Sequence, residues 1–423
     1  MRVLVIGSGG REHAIVDGLS RSSIVDDVLA APGNAGIENI ATRLPIAADD
    51  LHALVAAVEN ERINLTIVGP EVPLVAGLAD RLRDRGRLVL GPSAAAARIE
   101  GSKSWAKDLC VRHGIPAGGS HAFSDAAEAM NALDAMSPPY VVKADGLAAG
   151  KGVTVTEDRA DAERAIRSAL DGHQGRVVVE EFLDGREVSA FALLDGVETL
   201  PIGFACDYKR ASENDEGPNS GGMGAYSPDP VLDDSTKKLI EEDVLHRTAE
   251  ALRDEGEPFI GVLYAGLMLT TEGPKVLEFN ARFGDPEAEV LLPRLESDLG
   301  ELLLATAEGR LGEIRDTVRF TDEACVTVVL VSGGYPGAYE TGKPIDGLRE
   351  AAQIEGVKVF HAGTEMRDGR VVTTGGRVLA VTGTGSTAAE ARSRAYEAAK
   401  HISFEGMRYR TDIAAGIDGG GQA

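Results

Sequence analysis

The first hundred residues alternate between short apolar runs and longer stretches with helical spacing. The apolar runs, which are typical of buried strands, cover residues 3–6, 28–31, 65–68 and 88–90. The stretches with helical spacing cover residues 12–20, 49–60 and 74–85. This alternation predicts a doubly wound parallel sheet, and such sheets bind ligands at the carboxyl ends of their strands.

The pattern changes twice further along the chain, and these changes predict a multidomain protein of mixed α/β and α+β class. After residue 101, the predicted helices are 103–113, 125–136, 159–170 and 233–255, and the predicted strands are 140–144, 153–156, 177–181, 189–194, 198–205, 259–270 and 274–280. From residue 320, strands at 324–331, 357–361 and 377–383 and an alanine-rich helix at 387–401 indicate a small α+β domain. We therefore expect domains at 1–100, 101–315 and 320–415, followed by a flexible tail at 416–423.

Composition narrows the classes of function. The chain has 43% hydrophobic and 26% charged residues, which is ordinary for a globular protein, and its net charge of −24 argues against nucleic-acid binding. No apolar run reaches the roughly 18 residues that a membrane span needs, and Met1–Gly7 is too short for a secretory signal. Cys110, Cys206 and Cys325 fit no zinc pattern and favour a reducing, cytoplasmic setting.

The strand predicted at residues 274–280 ends in polar side chains that are suited to binding a metal ion and a phosphate group. Leu277 and Phe279 alternate with Glu278 and Asn280, so the two polar side chains are expected on one face. A carboxylate and an amide oxygen are hard ligands suited to Mg²⁺, and the guanidinium of Arg282 suits a transferring phosphoryl group. A solvated edge strand is the alternative interpretation.

A glycine-rich segment between the strands at 140–144 and 153–156 is a second candidate site. Lys143 can place a positive charge against phosphates, and the small residues from Gly146 to Gly152 let backbone N–H groups approach phosphate oxygens. The spacing differs from that of a P-loop and no helix follows, so we expect a β-hairpin lid. The alternative is a glycine-rich hairpin with a solvated lysine.

Two further segments have polar residues that suit a small ligand. The strand at 177–181 runs into acidic residues that can meet an adenine amino group and ribose hydroxyls, although exposed acidic strand ends are common. Residues 207–228 form a long polar loop in which Asp207, Lys209 and Gly221–Gly224 can contact a ligand. A disordered linker is the alternative for this loop.

The loop Gly7–His13 after the first strand matches only part of a dinucleotide fingerprint. Gly7 and Gly9 fit the pattern, but Glu12 stands where the third glycine belongs. Three interpretations stay open: dinucleotide binding, a plain turn into the helix, and a loop that holds a polar, hydroxyl-bearing substrate.

Together these segments resemble the ATP-grasp superfamily and, within it, the phosphoribosylamine–glycine ligase family. The motifs that carry the resemblance span nearly the whole chain and lie at residues 7–13, 31–36, 68–71, 100–103, 143–152, 217–226, 278–287, 361–364 and 375–379. The glycine-rich hairpin and the metal strand are shared by ATP-grasp ligases, whereas Gly221–Tyr226 and Arg282–Glu287 point to this family.

The resemblance implies a ligase that joins glycine to 5-phosphoribosylamine through glycyl phosphate and releases ADP and phosphate, in de novo purine synthesis. It implies ATP as co-substrate and Mg²⁺ or Mn²⁺ as cofactor. It also implies an ATP-grasp core with a mobile lid subdomain at about residues 121–190. We expect a monomer with no nucleic-acid or membrane partner.

The resemblance further implies roles for individual residues. ATP would be bound by Lys107, Lys143, Gly146, Ala149, Gly150, Lys151, Gly152, Glu180, Leu183 and Glu187. Glu278 and Asn280 would bind the metal, Arg282 would contact the transferring phosphoryl group, and Asp285 would lie near the glycine amine. The remaining substrate contacts would come from Gly9, Gly10, Arg11, Glu12, Asn34, Glu71, Asp207, Lys209, Gly221, Gly222, Met223 and Gly224.

The chain departs from the superfamily in one respect that bears on the metal. Many ATP-grasp enzymes carry a further acidic ligand on the preceding strand, but Ala265–Leu269 is wholly apolar. A second ion would therefore depend on ATP phosphates and water for most of its ligands. The competing hypotheses are another ATP-grasp ligase or carboxylase, a nicotinamide-dependent oxidoreductase, and a non-catalytic nucleotide-binding module.

Overall fold

The N-terminal part is a five-stranded parallel sheet in the order β3-β2-β1-β4-β5, as the alternating pattern predicts. In the computed structural model, which describes residues 1–147, 152–172 and 175–417, its elements are β1 (Arg2–Gly7), α1 (Gly10–Leu19), β2 (Asp27–Pro32), β3 (Thr42–Arg43), α2 (Leu51–Asn60), β4 (Leu65–Val68), α3 (Glu71–Val75), α4 (Leu78–Arg83) and β5 (Leu88–Leu90). The central strands β1 and β4 are almost wholly buried, which accounts for their continuous apolar sequence.

The single helix predicted at residues 74–85 is wrong, because the structure has the two short helices α3 and α4 there. The chain passes through the left-handed region at Gly77, with a φ of 82°. Glycine adopts this conformation without the steric cost that a side chain would add, and it breaks the helical hydrogen-bonding pattern.

Residues 98–180 include a small four-stranded antiparallel sheet in the order β6-β9-β7-β8. The elements are α5 (Arg98–Gly101), α6 (Lys103–His113), β6 (Ser120–Phe123), α7 (Ala126–Ala132), β7 (Tyr140–Ala144), β8 (Val153–Thr156), α8 (Arg159–Leu170) and β9 (Val177–Glu180). Buried residues of this sheet and of α7 and α8 form a core separate from the main one. The residues of this second core lie between Ala129 and Val179, inside the range predicted for the lid, and the bounds of the lid stay a prediction.

An antiparallel sheet of eight strands, β16-β15-β10-β11-β14-β17-β21-β18, spans the rest of the chain. Its elements and their neighbours are β10 (Arg186–Asp195), β11 (Thr199–Asp207), β12 (Arg210–Ser212), β13 (Glu216–Asn219), β14 (Gly224–Ser227), α9 (Asp234–Leu239), α10 (Arg247–Asp254), β15 (Ile260–Thr270), β16 (Gly273–Asn280), α11 (Ala288–Leu291), α12 (Leu299–Glu308), α13 (Leu311–Ile314), β17 (Ala324–Val331), α14 (Leu348–Ala351), β18 (Val357–His361), β19 (Thr364–Arg367), β20 (Arg370–Thr373), β21 (Arg377–Gly385) and α15 (Ala388–His401). Pairing of β14 with β17 joins the segment after residue 320 to this sheet.

The strand β16 carries a bulge just before its polar end. Gly266 pairs with Glu278 and the next residue of β15 pairs with Val276, so Leu277 is the extra residue. Phe279 is buried, whereas Glu278 and Asn280 are partly exposed, as the predicted alternation requires. Leu277 departs from that alternation because of the bulge.

The helices show no candidate for a membrane span. Across residues 1–147, 152–172 and 175–417, none combines the length and the apolar character needed to cross a bilayer.

Candidate active site

One cavity of about 820 Å³ opens between the N-terminal sheet, the β7–β8 hairpin and the end of β16. Most residues that the sequence assigns to a site line it: Gly9, Arg11, Glu12, Glu71, Lys107, Lys143, Gly146, Gly152, Glu180, Leu183, Glu187, Asp207, Lys209, Gly221, Glu278, Asn280, Arg282 and Asp285. Ala149, Gly150 and Lys151 lie outside the described residues. The base of the glycine-rich hairpin and the Glu278–Asn280 pair therefore share one cavity.

The described site candidates that do not line this cavity are Gly10, Asn34, Gly222, Met223 and Gly224. Asn34 is fully engaged elsewhere: its Nδ2 donates to the carbonyls of Ser8 (3.0 Å) and His361 (2.6 Å). Its Oδ1 accepts from the N–H groups of Gly36 and Ile37. Asn34 thus joins the N-terminal sheet to β18, and this position does not support the predicted contact with a substrate.

Two lysines of the cavity share one buried carboxylate. Lys107 Nζ lies 3.0 Å and Lys143 Nζ lies 2.8 Å from Oε2 of Glu180, and no side chain of the three is more than 7% exposed. The ammonium groups also donate to the carbonyls of Val276 (3.1 Å) and Leu277 (3.0 Å). Two positive charges facing one negative charge leave this wall of the cavity able to receive an anion.

The base of the hairpin is tied to the start of α6. Ser104 Oγ donates to Asp145 (2.6 Å), and Lys103 Nζ donates to the carbonyl of Gly146 (2.8 Å). The side chain of Ser102 caps α6 by accepting from Trp105 N. Lys103 also lines the cavity, although the sequence analysis assigned it no role. Its position in the motif at residues 100–103 is the sequence feature that could have indicated one.

Glu278 stands among positive charges. Its Oε1 lies 4.0 Å from Lys209 Nζ, which also pairs with Glu187 at 2.7 Å. Burial alone would raise the pKa of Glu278, but nearby lysine charges, Lys209 first among them, hold it below its usual range. Burial raises the pKa of the neighbouring Asp207 to about 8. Glu278 is therefore ionised at this end of the cavity.

Arg282 is fixed by two carboxylates. Its Nη2 lies 2.9 Å from Glu100 and donates to Asn280 Oδ1 (3.2 Å), and its Nε lies 3.5 Å from Glu71. The backbone N–H of Ala281 donates to the other oxygen of Glu100 (2.7 Å). Burial alone would raise the pKa of Glu71, but the charge of Arg282 keeps it low. The guanidinium is thus held beside Asn280.

Acidic residues follow Arg282 in the sequence, and two of them, Asp285 and Glu287, line the cavity. Asp285 pairs with Arg377 at 3.1 Å, and Glu287 accepts from Ser189 Oγ at 3.3 Å. Glu289 is 1% exposed, and neither of its carboxyl oxygens has a hydrogen-bond partner within the described part of the chain. Burial raises the pKa of Glu287 and of Glu289. Sequence reasoning left Glu287 and Arg377 without a role, although both lie in motifs of the family resemblance.

The loop after β1 is filled by the side chain of Glu12. Its carboxylate accepts from the N–H of Gly9 and from Arg11 Nε, each at 2.5 Å. A Cβ on Gly7 or Gly69 would overlap this side chain, and Gly7 also has a φ of 123°, which favours glycine there. Because a carboxylate occupies the position where a pyrophosphate would approach, the geometry does not favour dinucleotide binding at this loop.

The residues present fit a divalent cation that arrives with a nucleotide. Glu278 and Asn280 offer one anionic and one neutral oxygen, which are hard donors of the kind that Mg²⁺ and Mn²⁺ accept. Within the described ranges, no group of three or more His, Cys, Asp or Glu side chains forms a metal site by itself. Met268 lines the cavity from the preceding strand, in agreement with the apolar sequence there.

Most of the chain matches the domains of one known family. This family is phosphoribosylglycinamide synthetase, and the matches are to its N domain at residues 1–100, its ATP-grasp (A) domain at residues 101–288 and its C domain at residues 325–416. The chain belongs to the phosphoribosylglycinamide synthetase family. This membership confirms the resemblance that the sequence motifs indicated.

Individual members of this family match the chain over nearly their full length. A phosphoribosylamine–glycine ligase of Streptomyces coelicolor is 50% identical over 417 residues, covering 98% of this chain and 99% of the relative. The ligase of Brucella melitensis is 47% identical, covering 98% and 97%. The crystal structure of the ligase from Thermotoga maritima is 36% identical with a TM-score of 0.83 and covers 98% of this chain and all of that one.

A more distant likeness concerns the fold alone. Biotin carboxylase from Campylobacter jejuni is 15% identical, with a TM-score of 0.75, and covers 99% of this chain and 95% of that chain. The match of residues 101–288 to the ATP-grasp (A) domain, together with the likeness to the ligase from Thermotoga maritima, confirms the predicted ATP-grasp fold class.

Proposed function

We propose that this protein uses ATP to join glycine to 5-phosphoribosylamine, giving glycinamide ribonucleotide, ADP and phosphate in purine synthesis. The observation that carries this proposal is the cavity that brings together Lys107, Lys143, Glu278, Asn280 and Arg282. Membership of the synthetase family supports it over an oxidoreductase or a binding module.

The nucleotide is proposed to lie along the hairpin side of the cavity. Lys107 and Lys143 would bind phosphate oxygens, and Gly146 and Gly152, which line the cavity at the base of the hairpin, would contribute further contacts. Glu180 and Leu183 would meet adenine, and Glu187 the ribose. The position of Lys107 and Lys143 on one carboxylate supports a shared anion as their ligand, because an anion would balance the second positive charge.

Glu278 and Asn280 would hold Mg²⁺ or Mn²⁺, with phosphate oxygens and water completing the coordination. When bound, the cation neutralises charge on the nucleotide phosphates. Arg282, which is fixed beside Asn280 by Glu71 and Glu100, would stabilise the charge spread over the transferring phosphoryl group.

The reaction has two steps. The glycine carboxylate attacks the γ-phosphorus of ATP, which forms glycyl phosphate and releases ADP. The amine of phosphoribosylamine then attacks the acyl carbon, and phosphate leaves as the amine gives up a proton. Asp285 would lie near the glycine amine, and closure over the cavity would exclude water from the acyl phosphate.

Phosphoribosylamine is proposed to bind where the N-terminal sheet meets residues 207–221, a segment predicted as a loop that contains the paired strands β12 and β13. Arg11, Glu12 and Glu71 line the cavity from the carboxyl ends of β1 and β4, and Asp207 and Lys209 line it from the end of β11. This is the edge of a parallel sheet where ligands are expected.

ADP release is the test, measured with each of glycine and phosphoribosylamine omitted in turn. We expect ADP release to require both substrates and a divalent cation. Turnover that ignores glycine would refute the proposed substrate. An additional reaction with bicarbonate in place of glycine tests the competing carboxylase hypothesis.

We also propose a cytoplasmic location and a monomeric state. The three cysteines are buried and unpaired, which is typical of a reducing compartment. Light scattering coupled to size-exclusion chromatography measures the mass of the assembly, for which we expect about one 44.3 kDa chain.

A further inference from the structure

Arg377 extends from the C-terminal part of the fold into the cavity. It is the first residue of β21, and its Nη2 lies 3.1 Å from Asp285 Oδ1. Its Nη1 donates to the backbone carbonyl of Asp285 (2.7 Å) and to the carbonyl of Gly221. One guanidinium therefore holds both the side chain and the backbone of Asp285 and also the backbone of Gly221.

A second side chain from the same part of the fold completes this arrangement. Tyr335 OH accepts from the N–H of Gly221 at 2.7 Å. Gly222 packs directly on the ring of Pro286, where a Cβ would overlap it. The backbone of Gly221 is thus held on both sides, next to the segment that carries Asp285.

The charge environment of Asp285 agrees with this geometry. Burial alone would raise the pKa of Asp285, but Arg377 and Arg11 outweigh burial and keep the carboxylate ionised. The guanidinium pairs with the carboxylate through Nη2 and holds the backbone of the same residue through Nη1, which restricts the orientations of the Asp285 side chain.

We infer that Arg377 is a positioning residue for the ligation: it orients the Asp285 carboxylate toward the glycine amine and acts through that carboxylate. This inference rests on the proposed function, which places the glycine amine near Asp285. Methionine at position 377 keeps an unbranched side chain but removes the guanidinium, which leaves the Asp285 carboxylate with the weaker contact to the N–H of Arg11 at 3.5 Å.

A double-mutant cycle between Arg377→Met and Asp285→Asn tests the inference through the KM values for glycine and ATP. We expect Arg377→Met to raise the glycine KM about 10- to 100-fold, the range for loss of a charge-assisted hydrogen bond, and to change the ATP KM less than about twofold. The double variant should be no worse than Asp285→Asn alone. Losses that multiply, or an ATP KM that rises with the glycine KM, would overturn the inference.

Controls separate a local effect from a general one. Arg370→Met removes an exposed arginine of the C-terminal part that pairs with Asp346, and we expect wild-type kinetics. If Arg377→Met does not fold, Arg377→Lys carries the same cycle, because lysine is shorter and lacks the planar fork of donors that reaches Asp285 and Gly221 together.

ADP release by the wild-type protein distinguishes a failure of the proposed function from a failure of the positioning role. Glycine-independent ADP release by the wild type would refute the function itself. Glycine-dependent wild-type activity with an unchanged glycine KM in the Arg377 variants would refute only the positioning role.

Discussion

Replacing Glu180 with glutamine removes the carboxylate that Lys107 and Lys143 share and keeps the shape of the side chain. The lost oxygen lies 3.0 and 2.8 Å from the two ammonium groups, in a cluster that is at most 7% exposed. Removing one partner of a buried ion pair costs about 3–5 kcal/mol, because the remaining charge loses its compensation. Each lysine keeps a backbone carbonyl acceptor, so we expect a loss of about 3 kcal/mol.

Thermal unfolding of the nucleotide-free protein measures this loss. One kcal/mol corresponds to about 2–4 °C in Tm for a unit of 150–250 residues, so Glu180→Gln should unfold roughly 6–12 °C below the wild type. Glu181→Gln is the matched control, since this exposed neighbour accepts only from a backbone N–H among the described contacts and should shift Tm by no more than about 2 °C. An unchanged Tm for Glu180→Gln would refute the reasoning.

Inorganic tripolyphosphate separates phosphate binding from any contact with adenine. It has no base, so its binding depends on phosphate contacts, including those of the two lysines, without a contribution from adenine. Their uncompensated charges in Glu180→Gln should bind it more tightly, and the ligand-induced rise in Tm should exceed that of the wild type. An equal or smaller rise would show that Lys107 and Lys143 do not face the phosphate site.

Three further predictions concern other parts of the molecule. Glu278→Gln should lower turnover by on the order of 10²-fold or more, because charge neutralisation by the metal is lost. Glu272→Gln, on the exposed turn before β16, is the control and should leave turnover unchanged. Near-normal turnover in a folded Glu278 variant would contradict the metal role. Burial lowers the pKa of His13 to about 3 and of His361 to about 4, so between pH 6.5 and pH 4 the unfolded chain binds more protons than the folded one. The free energy of unfolding should therefore fall as the pH falls through this range, by up to about 1.4 kcal/mol per pH unit for each histidine. Denaturant titrations of the wild type and of His13→Asn check this, and equal slopes would exclude a contribution from His13. Burial raises the pKa of Cys110 to about 11 and of Cys206 and Cys325 to about 12. Ellman's reagent should therefore label none of the three cysteines in the native protein and all three after unfolding. Labelling of the native protein would contradict their burial.

Local sequence pattern was sufficient for most of the secondary structure. The strands Leu65–Val68, Tyr140–Ala144 and Ala324–Val331 have the predicted bounds, because runs of apolar β-branched residues pack on both faces of a sheet. The break at Gly77 was missed, because a glycine inside a helical pattern does not reveal whether its φ is positive.

The candidate site was predictable where its residues lie close together in the sequence. Glu278, Asn280 and Arg282 fall on one strand end, so their spacing alone brings them near each other. Lys103, Glu287 and Arg377 were in recognisable motifs but had no assigned role, because their partners belong to distant segments. Asn34 was assigned to a substrate, whereas its side chain joins two parts of the fold.

The sequence by itself determined the family, the class of fold and the elements that carry the chemistry. These depend on periodicity and on short motifs, which the chain order preserves. Only the tertiary structure decided which charges meet: Glu180 with two lysines, and Asp285 with an arginine 92 residues away in the chain. Such pairs depend on how the sheets pack, because side chains on separate elements become neighbours only after the elements that carry them are in place.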